Sequence, residues 1–301
     1  MNPAPLLQEI DRRPLCCDGA MGTQLISLGL GSGECGMLWN VNRPAEIGRI
    51  HLAYRQAGCD LITTNTFGGS RFGLARHGLA DRGAELNRAA AQIARAAAGP
   101  TGWVLGDVGP FGDFLEPLGD TTADDLRAAF RDQIAALLEG GADAILIETM
   151  SDPAEAVIAL EAAKACDPKI PVIATFAFQK TARGEFRTMM GVTAAEAAQR
   201  ALAAGAEMVG ANCGTALSLD DYVDLGKQLA GAAGKAPVVI RPNAGSPRTE
   251  NGRTTYDARP EDMAAAATRL LAAGARMIGG CCGTAPNHLA AISRAVHTNN
   301  G

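Results

Sequence analysis

Short apolar runs alternate with longer Ala-rich stretches along the chain, and the alternation repeats eight times. The apolar runs predict strands over 15–18, 60–65, 103–107, 144–148, 172–178, 208–213, 238–242 and 276–281. The stretches between them predict helices over 44–58, 83–98, 122–139, 152–166, 193–205, 219–229, 260–274 and 286–296. Start and stop signals sit where such helices need them. Pro44, Pro153, Pro260 and Pro286 fall in first turns, and Gly58, Gly205 and Gly274 follow last turns. Thr122 with Asp125, and Thr193 with Glu196, read as capped helix starts.

Unbroken strand–helix alternation implies parallel strands joined by right-handed crossovers. Continuous apolar runs fit strands covered on both faces. Eight units in 301 residues favour a closed (β/α)8 TIM barrel over an open doubly wound sheet. No stretch rich in Pro, Gly or charge breaks the pattern, so one domain is expected over 1–301.

Composition narrows the partners. A net charge of -5 without a Lys/Arg-rich tract argues against nucleic acid, and 4% aromatic residues argue against a stacking surface. No apolar run is long enough to span a bilayer, and Met1 to Pro14 lacks a signal-peptide core. Eight cysteines in that setting are expected in a reducing, cytoplasmic compartment, as metal ligands or reactive thiols rather than disulfides.

A barrel of this kind builds its site at the C-terminal ends of the strands, and the polar residues collect there. Asp18, Thr63 to Thr66, Asp107, Glu148, Cys213, Asn243, Cys281 and Cys282 all close apolar runs. Asp107 is read as bracing the barrel mouth. Cys213 and the Cys281-Cys282 pair lie on next-but-one strands, spaced about 4.8 Å per step, so three sulfurs can reach one zinc ion at about 2.3 Å. Three protein ligands leave the fourth position open, as in catalytic zinc sites. A thiol entering it would lose its proton. Against this, cysteines are common core filler, and the spacing is not a C-x-x-C pattern. Cys16 and Cys17 are expected to face alternately the helix layer and the barrel interior. Cys35, Cys59 and Cys166 receive no role. His51, His77, His288 and His297 fall away from strand ends, so none is assigned to the metal.

Five segments carry a family resemblance in order: Asp18-Gly-Ala-Met-Gly-Thr, Asn65-Thr-Phe, Gly210-Ala-Asn-Cys213-Gly, Pro242-Asn-Ala-Gly and Gly279-Gly-Cys281-Cys282-Gly-Thr. They resemble the homocysteine S-methyltransferase family. That family includes betaine–homocysteine methyltransferases, S-methylmethionine-dependent enzymes and the homocysteine domain of cobalamin-dependent methionine synthase. The resemblance implies a barrel enzyme of methionine biosynthesis that binds Zn(2+) through Cys213, Cys281 and Cys282. It would move a methyl group from betaine, a sulfonium compound or a methyl-corrinoid to the thiol of L-homocysteine. It further implies that Asp18 and Glu148 hold the amino group of homocysteine, with Asn243 in the matching turn. A buried α-ammonium needs such carboxylate partners.

Trp39 lies in a loop, Gly31 to Asn40, that resembles the corresponding loop of bacterial family members. It is expected either to face a quaternary ammonium or sulfonium donor by cation–π attraction or to pack against the first outer helix. The sequence carries no cobalamin- or folate-binding segment, so a corrinoid donor is expected on a separate protein. Two other readings stand beside this one. Gly279-Gly280 could cradle a phosphate, which leaves the cysteines without a role. Alternatively, the chain is a zinc-binding barrel subunit that partners a corrinoid protein or methylates a different thiol.

Overall fold

The computed structural model describes residues 5–250 and 253–298; the expected domain over 1–301 reaches past these at both ends. Eight strands run β1 (Leu15–Cys16), β2 (Leu61–Thr63), β3 (Trp103–Val108), β4 (Ala144–Met150), β5 (Val172–Phe176), β6 (Met208–Asn212), β7 (Val238–Arg241) and β8 (Ala275–Ile278). They form one parallel sheet in the order β1-β8-β7-β6-β5-β4-β3-β2. Each is followed by an outer helix: α1 (Pro44–Gln56), α2 (Gly83–Ala98), α3 (Ala123–Glu139), α4 (Pro153–Cys166), α5 (Ala194–Ala203), α6 (Leu219–Ala233), α7 (Pro260–Ala272) and α8 (Pro286–Thr298). This is a single (β/α)8 barrel. None of the described helices is long and apolar enough to cross a membrane.

The helix starts are built as their sequences predict. Thr122 and Thr193 accept the backbone N–H of Asp125 and Glu196, and Asp152 caps α4 ahead of Pro153. At the other ends a device recurs. Gly58, Gly141 and Gly205 turn the chain at φ of 95°, 99° and 99°. Two residues later, Asp60, Asp143 and Glu207 accept the backbone N–H of Cys16, Val104 and Val172 on the preceding strand, at 2.8, 2.7 and 2.7 Å. Each acid also pairs with a cation from an earlier helix or its flank: Arg13, Arg95 and Lys164. Strand is thereby pinned to strand at the floor of the barrel.

Among the described residues no hydrogen-bond ladder joins β1 to β2, and the seam is closed by two carboxylates. Asp60 donates its N–H to Cys16 C=O at 2.7 Å while its carboxylate takes the Cys16 N–H. Higher up, Asp18 accepts the Thr63 N–H at 2.8 Å and the Thr63 hydroxyl at 2.6 Å.

Inside, Leu15, Leu61, Leu105, Leu146, Ile173 and Met277 belong to one buried cluster. A short helix, Leu6–Arg12, plugs the floor with Leu6 and Ile10, and Arg276 donates to the Ile10 carbonyl. The apolar periodicity did not predict this helix. It also did not predict two small hairpins, Gln179–Lys180 with Phe186–Arg187 and Arg248–Glu250 with Arg253–Thr255. Cys16 faces the helix layer and Cys17 the interior.

Six strands end one to three residues earlier than the sequence suggests, β8 by the most. β1 stops at Cys16, and β8 stops at Ile278, where Gly279 and Gly280 leave the ladder to cross between strand ends. Gly279 donates to Ile240 C=O and Gly280 to Asp18 C=O. A Cβ on Gly279 would meet Asp18 O at 2.7 Å, and one on Gly280 would meet the Thr284 side chain at 2.5 Å. Close packing therefore accounts for this glycine pair, and the phosphate-cradle reading loses its basis.

Candidate active site

The two-residue alternation that fills the barrel continues past its apolar layers. Leu105, Leu146, Ile173 and Val239 face the interior, so Asp107, Glu148, Thr175 and Arg241, two residues further on, form a polar storey above them. A cavity of about 440 Å³ opens over this storey. Asp107, Glu148, Arg241, Cys213, Cys281 and Cys282 all line it.

The three cysteines arrive from two strand ends. Cys213 follows β6, and Cys281-Cys282 follow β8. Cys213 Sγ and Cys282 Sγ are 3.5 Å apart, and all three sulfurs lie within 4.8 Å of one another. Cys213 holds a left-handed φ of 50°, a conformation that costs a non-glycine residue of order 1 kcal/mol and collects at functional sites. Hydrogen bonds from Cys213 and Cys281 hold the Cys282 thiol down to about 3. Cys281 is pushed well up by the same hydrogen bonds and by burial.

Behind the sulfurs stands a buried charge network. Arg241 donates to Glu148 at 2.9 Å and to Asp18 at 3.2 Å, with its own side chain 5% exposed. Burial raises the pKa of both carboxyls, and Arg241 pulls each back down. Asn212 ties this network to the cysteines. Its amide donates to Thr149 Oγ1 at 2.7 Å, to Glu148 at 3.4 Å and to Cys281 Sγ at 3.9 Å. Its carbonyl accepts the Thr149 N–H and the Thr175 hydroxyl. Thr149, like Cys213, has a left-handed φ, of 61°.

The expected site residues separate into two groups. Cys213, Cys281, Cys282 and Glu148 meet at the cavity wall. Asp18, Asn243 and Trp39 stand behind it. Asp18 is 1% exposed and its oxygens are taken by Thr63 and Arg241. Asn243 donates to Gly214 C=O at 3.2 Å and so braces the loop that carries Cys213. Trp39 is buried in the helix-facing core with the Arg43 guanidinium 4.3 Å from its ring centre, which occupies the face a cationic donor would need. Of the two placements expected for Trp39, packing is the one observed.

Arg241 and Asn212 received no role from sequence. A charged residue closing the run Val238-Val239-Ile240 was the available signal for Arg241. His77, read as away from the strand ends, and Cys35, which received no role, both line the cavity. Phe67, which lines the cavity, is exposed, as are Ile26, Phe114, Leu118 and Met189 on the segments that follow β1, β3 and β5.

A model of the homocysteine S-methyltransferase family matches residues 15–296. Methionine synthase of Mycobacterium tuberculosis is 33% identical over 97% of this chain, and that of Mycobacterium leprae is equally similar. The chain spans 25% of the length of each. The solved structure of the homocysteine methyltransferase MmuM from Escherichia coli in its metallated form is 25% identical, with a TM-score of 0.77. It covers 97% of this chain and 99% of that one. The oxidized form of MmuM is 28% identical, with a TM-score of 0.75 and the same coverage.

Proposed function

Because the chain belongs to the homocysteine S-methyltransferase family, we propose that it transfers a methyl group from an activated donor to the thiol of L-homocysteine, giving methionine. The observation that carries this reading is the convergence of Cys213, Cys281 and Cys282 on a cavity that also presents Glu148 and Arg241. Sulfurs sharing one tetrahedral zinc ion at about 2.3 Å lie about 3.8 Å apart. The 3.5 Å contact and the 4.8 Å limit fit that spacing. Soft thiolates select zinc over magnesium or calcium.

Cys213, Cys281 and Cys282 would hold Zn(2+), which would lower the pKa of an incoming thiol and leave its sulfur electron-rich. The rest falls to the chain's own groups. Arg241 donates to Glu148 and opposes the rise that burial gives its pKa, and Asn212 holds that carboxyl beside Cys281. Glu148 then faces the α-ammonium of homocysteine and sets the reach of its thiol toward the cysteines. Asp18 acts from behind, by orienting Arg241. The substrate sulfur attacks the methyl carbon in line. An S–C bond forms, the bond from methyl to nitrogen, sulfur or cobalt breaks, and its electron pair leaves with the donor. The thiol proton has already passed to solvent, so this step needs no general base.

The donor is betaine, a sulfonium compound or a methyl-corrinoid. The exposed apolar residues on the segments that follow β1, β2, β3 and β5, at the strand ends that carry the site, favour the last, brought by a corrinoid-binding protein or domain. The test is a zinc determination joined to a donor screen with L-homocysteine: betaine, S-methylmethionine, dimethylsulfoniopropionate and methylcobalamin. A single zinc ion per chain, and methionine that vanishes on chelation, are expected. Methionine formation that survives removal of all zinc would overturn the reading.

A further inference from the structure

We propose that a second cavity, in the outer layer between α2 and α3, binds a short linear aliphatic diamine. The cavity measures about 390 Å³ and shares no lining residue with the catalytic one. Its buried lining residues form a floor and its exposed ones a rim, and the two differ in chemistry.

The floor offers hydrogen-bond acceptors. Asn87 on α2 is fully buried and Gln133 on α3 is 3% exposed, and both line the cavity. Asn87 Nδ2 donates to Gly69 C=O at 2.9 Å and to Gly83 C=O at 2.7 Å. Gln133 Nε2 donates to Thr66 C=O at 2.9 Å and to Asp107 C=O at 3.1 Å. Carbonyls only accept, so these four bonds fix which amide atom is nitrogen and which is oxygen. The two oxygens, Asn87 Oδ1 and Gln133 Oε1, are left buried without a partner. Buried acceptors are nearly always bonded, so two open ones at one cavity mark a place for a donor from outside the chain. Gly69 lets both amides close on the chain there, since a Cβ on it would clash with Asn87 Oδ1 and with Gln133 Nε2.

Walls and rim define the rest of the ligand. Ala80, Ala84, Ala129 and Ala136 supply apolar surface, which suits a methylene chain. Of the charged groups, Arg88 is held by Glu139 and Arg71 by Asp125. Asp81 has no ion pair among the described residues, and Asp132 has only a 3.8 Å contact with Arg131. Two rim carboxylates are thus available above a floor that can only accept. An ammonium at each end of an aliphatic stem satisfies both: one donates to the amide oxygens, and the other meets the rim carboxylates. A water molecule would serve the floor alone.

The test is calorimetric titration of the full chain at neutral pH with 1,4-diaminobutane, n-butylamine and 1,4-butanediol. One diamine per chain is expected, with n-butylamine about tenfold weaker and no binding of the uncharged diol. The double variant Asp81→Asn/Asp132→Asn should weaken the diamine about tenfold, as two exposed ion pairs allow, and leave n-butylamine within about twofold. Ala84→Trp fills the cavity from an exposed position, so it should keep the wild-type unfolding midpoint and lose diamine binding. Should Ala84→Trp not fold, the rim variant, altered only at exposed carboxylates, decides alone. No saturable binding by wild type, as a floor that holds only water would give, would overturn the proposal. So would equal affinity for the diol, a diamine affinity unchanged in the rim variant, or diamine binding that survives Ala84→Trp and so belongs to the acidic catalytic cavity.

Discussion

Replacing Arg241 with Met removes the guanidinium that holds two buried carboxylates. The Asp18 and Glu148 side chains are 2% and 12% exposed, and the contacts are 3.2 and 2.9 Å long. At an effective dielectric constant of about 20, each contact carries about 5 kcal/mol of Coulomb attraction. Desolvation takes most of that back while the network is intact. With Arg241 gone, the carboxylates keep their desolvation cost and lose the compensation, a change that typically destabilises by about 3–5 kcal/mol. In a chain of this size, that is a fall in Tm of about 5–8 °C.

The deficit should also depend on pH, and its sign follows from the burial of the two acids. Both carboxyls already lie above their ordinary range, and Arg241 opposes that rise. Without it they rise further, so the folded variant keeps protons that the unfolded chain has shed. Stability is then present at low pH and lost as pH climbs through the raised values. The deficit of Arg241→Met should be larger at about pH 8 than at about pH 5. Urea unfolding of wild type, Arg241→Met, Glu148→Gln and the double variant at both pH values measures it. Glu148→Gln should recover part of the loss in the double variant. A deficit below about 1 kcal/mol, or one equal at both pH values, would refute this account of the network.

Three further outcomes are expected. Cys282→Ala should lose stoichiometric zinc and methionine formation together, read by elemental analysis and by a methionine assay in chelator-treated buffer; retention of both contradicts the site. Asp60→Asn should cost about 2 kcal/mol in urea unfolding, since the carboxylate closes the barrel seam to Cys16 and pairs with Arg13 and His297; an unchanged midpoint would show that the seam holds without it. His51 is fully buried with both ring nitrogens unpartnered, and burial lowers its pKa to about 4 from 6.5. The unfolded chain therefore binds the proton first, and wild type should lose about 3 kcal/mol between those values as pH falls. His51→Leu should flatten that acid limb in a Tm-versus-pH series, and an unaltered slope would contradict the assignment.

The barrel was legible because its signals are local. Prolines at helix starts, glycines past helix ends and apolar runs between them mark eight units, and α2 spans the expected 83–98. The convergence of the cysteines followed from topology, since strand ends of a closed barrel share one rim. The charge network was not legible. Arg241 and Asp107 end apolar runs, and at a run's end a charged residue reads equally as the last inward position or the first loop position. Only the register of β3 and β7 places both inside. Asp18 shows the converse. It was read as the last residue of the first strand and lies two residues past it, and the arginine that takes part of its hydrogen-bonding capacity lies 223 residues away. The floor helix Leu6–Arg12 escaped notice because its inward face needs only Leu6 and Ile10.

The central claim is that three chain sulfurs hold one zinc ion and leave a position for the substrate thiol. X-ray absorption at the zinc edge, with and without L-homocysteine, tests it most directly. The account predicts three sulfur neighbours at about 2.3 Å plus one lighter atom, changing to four sulfurs when homocysteine is added. A shell that already contains four protein ligands and ignores the added thiol, or that contains fewer than three sulfurs, would contradict it.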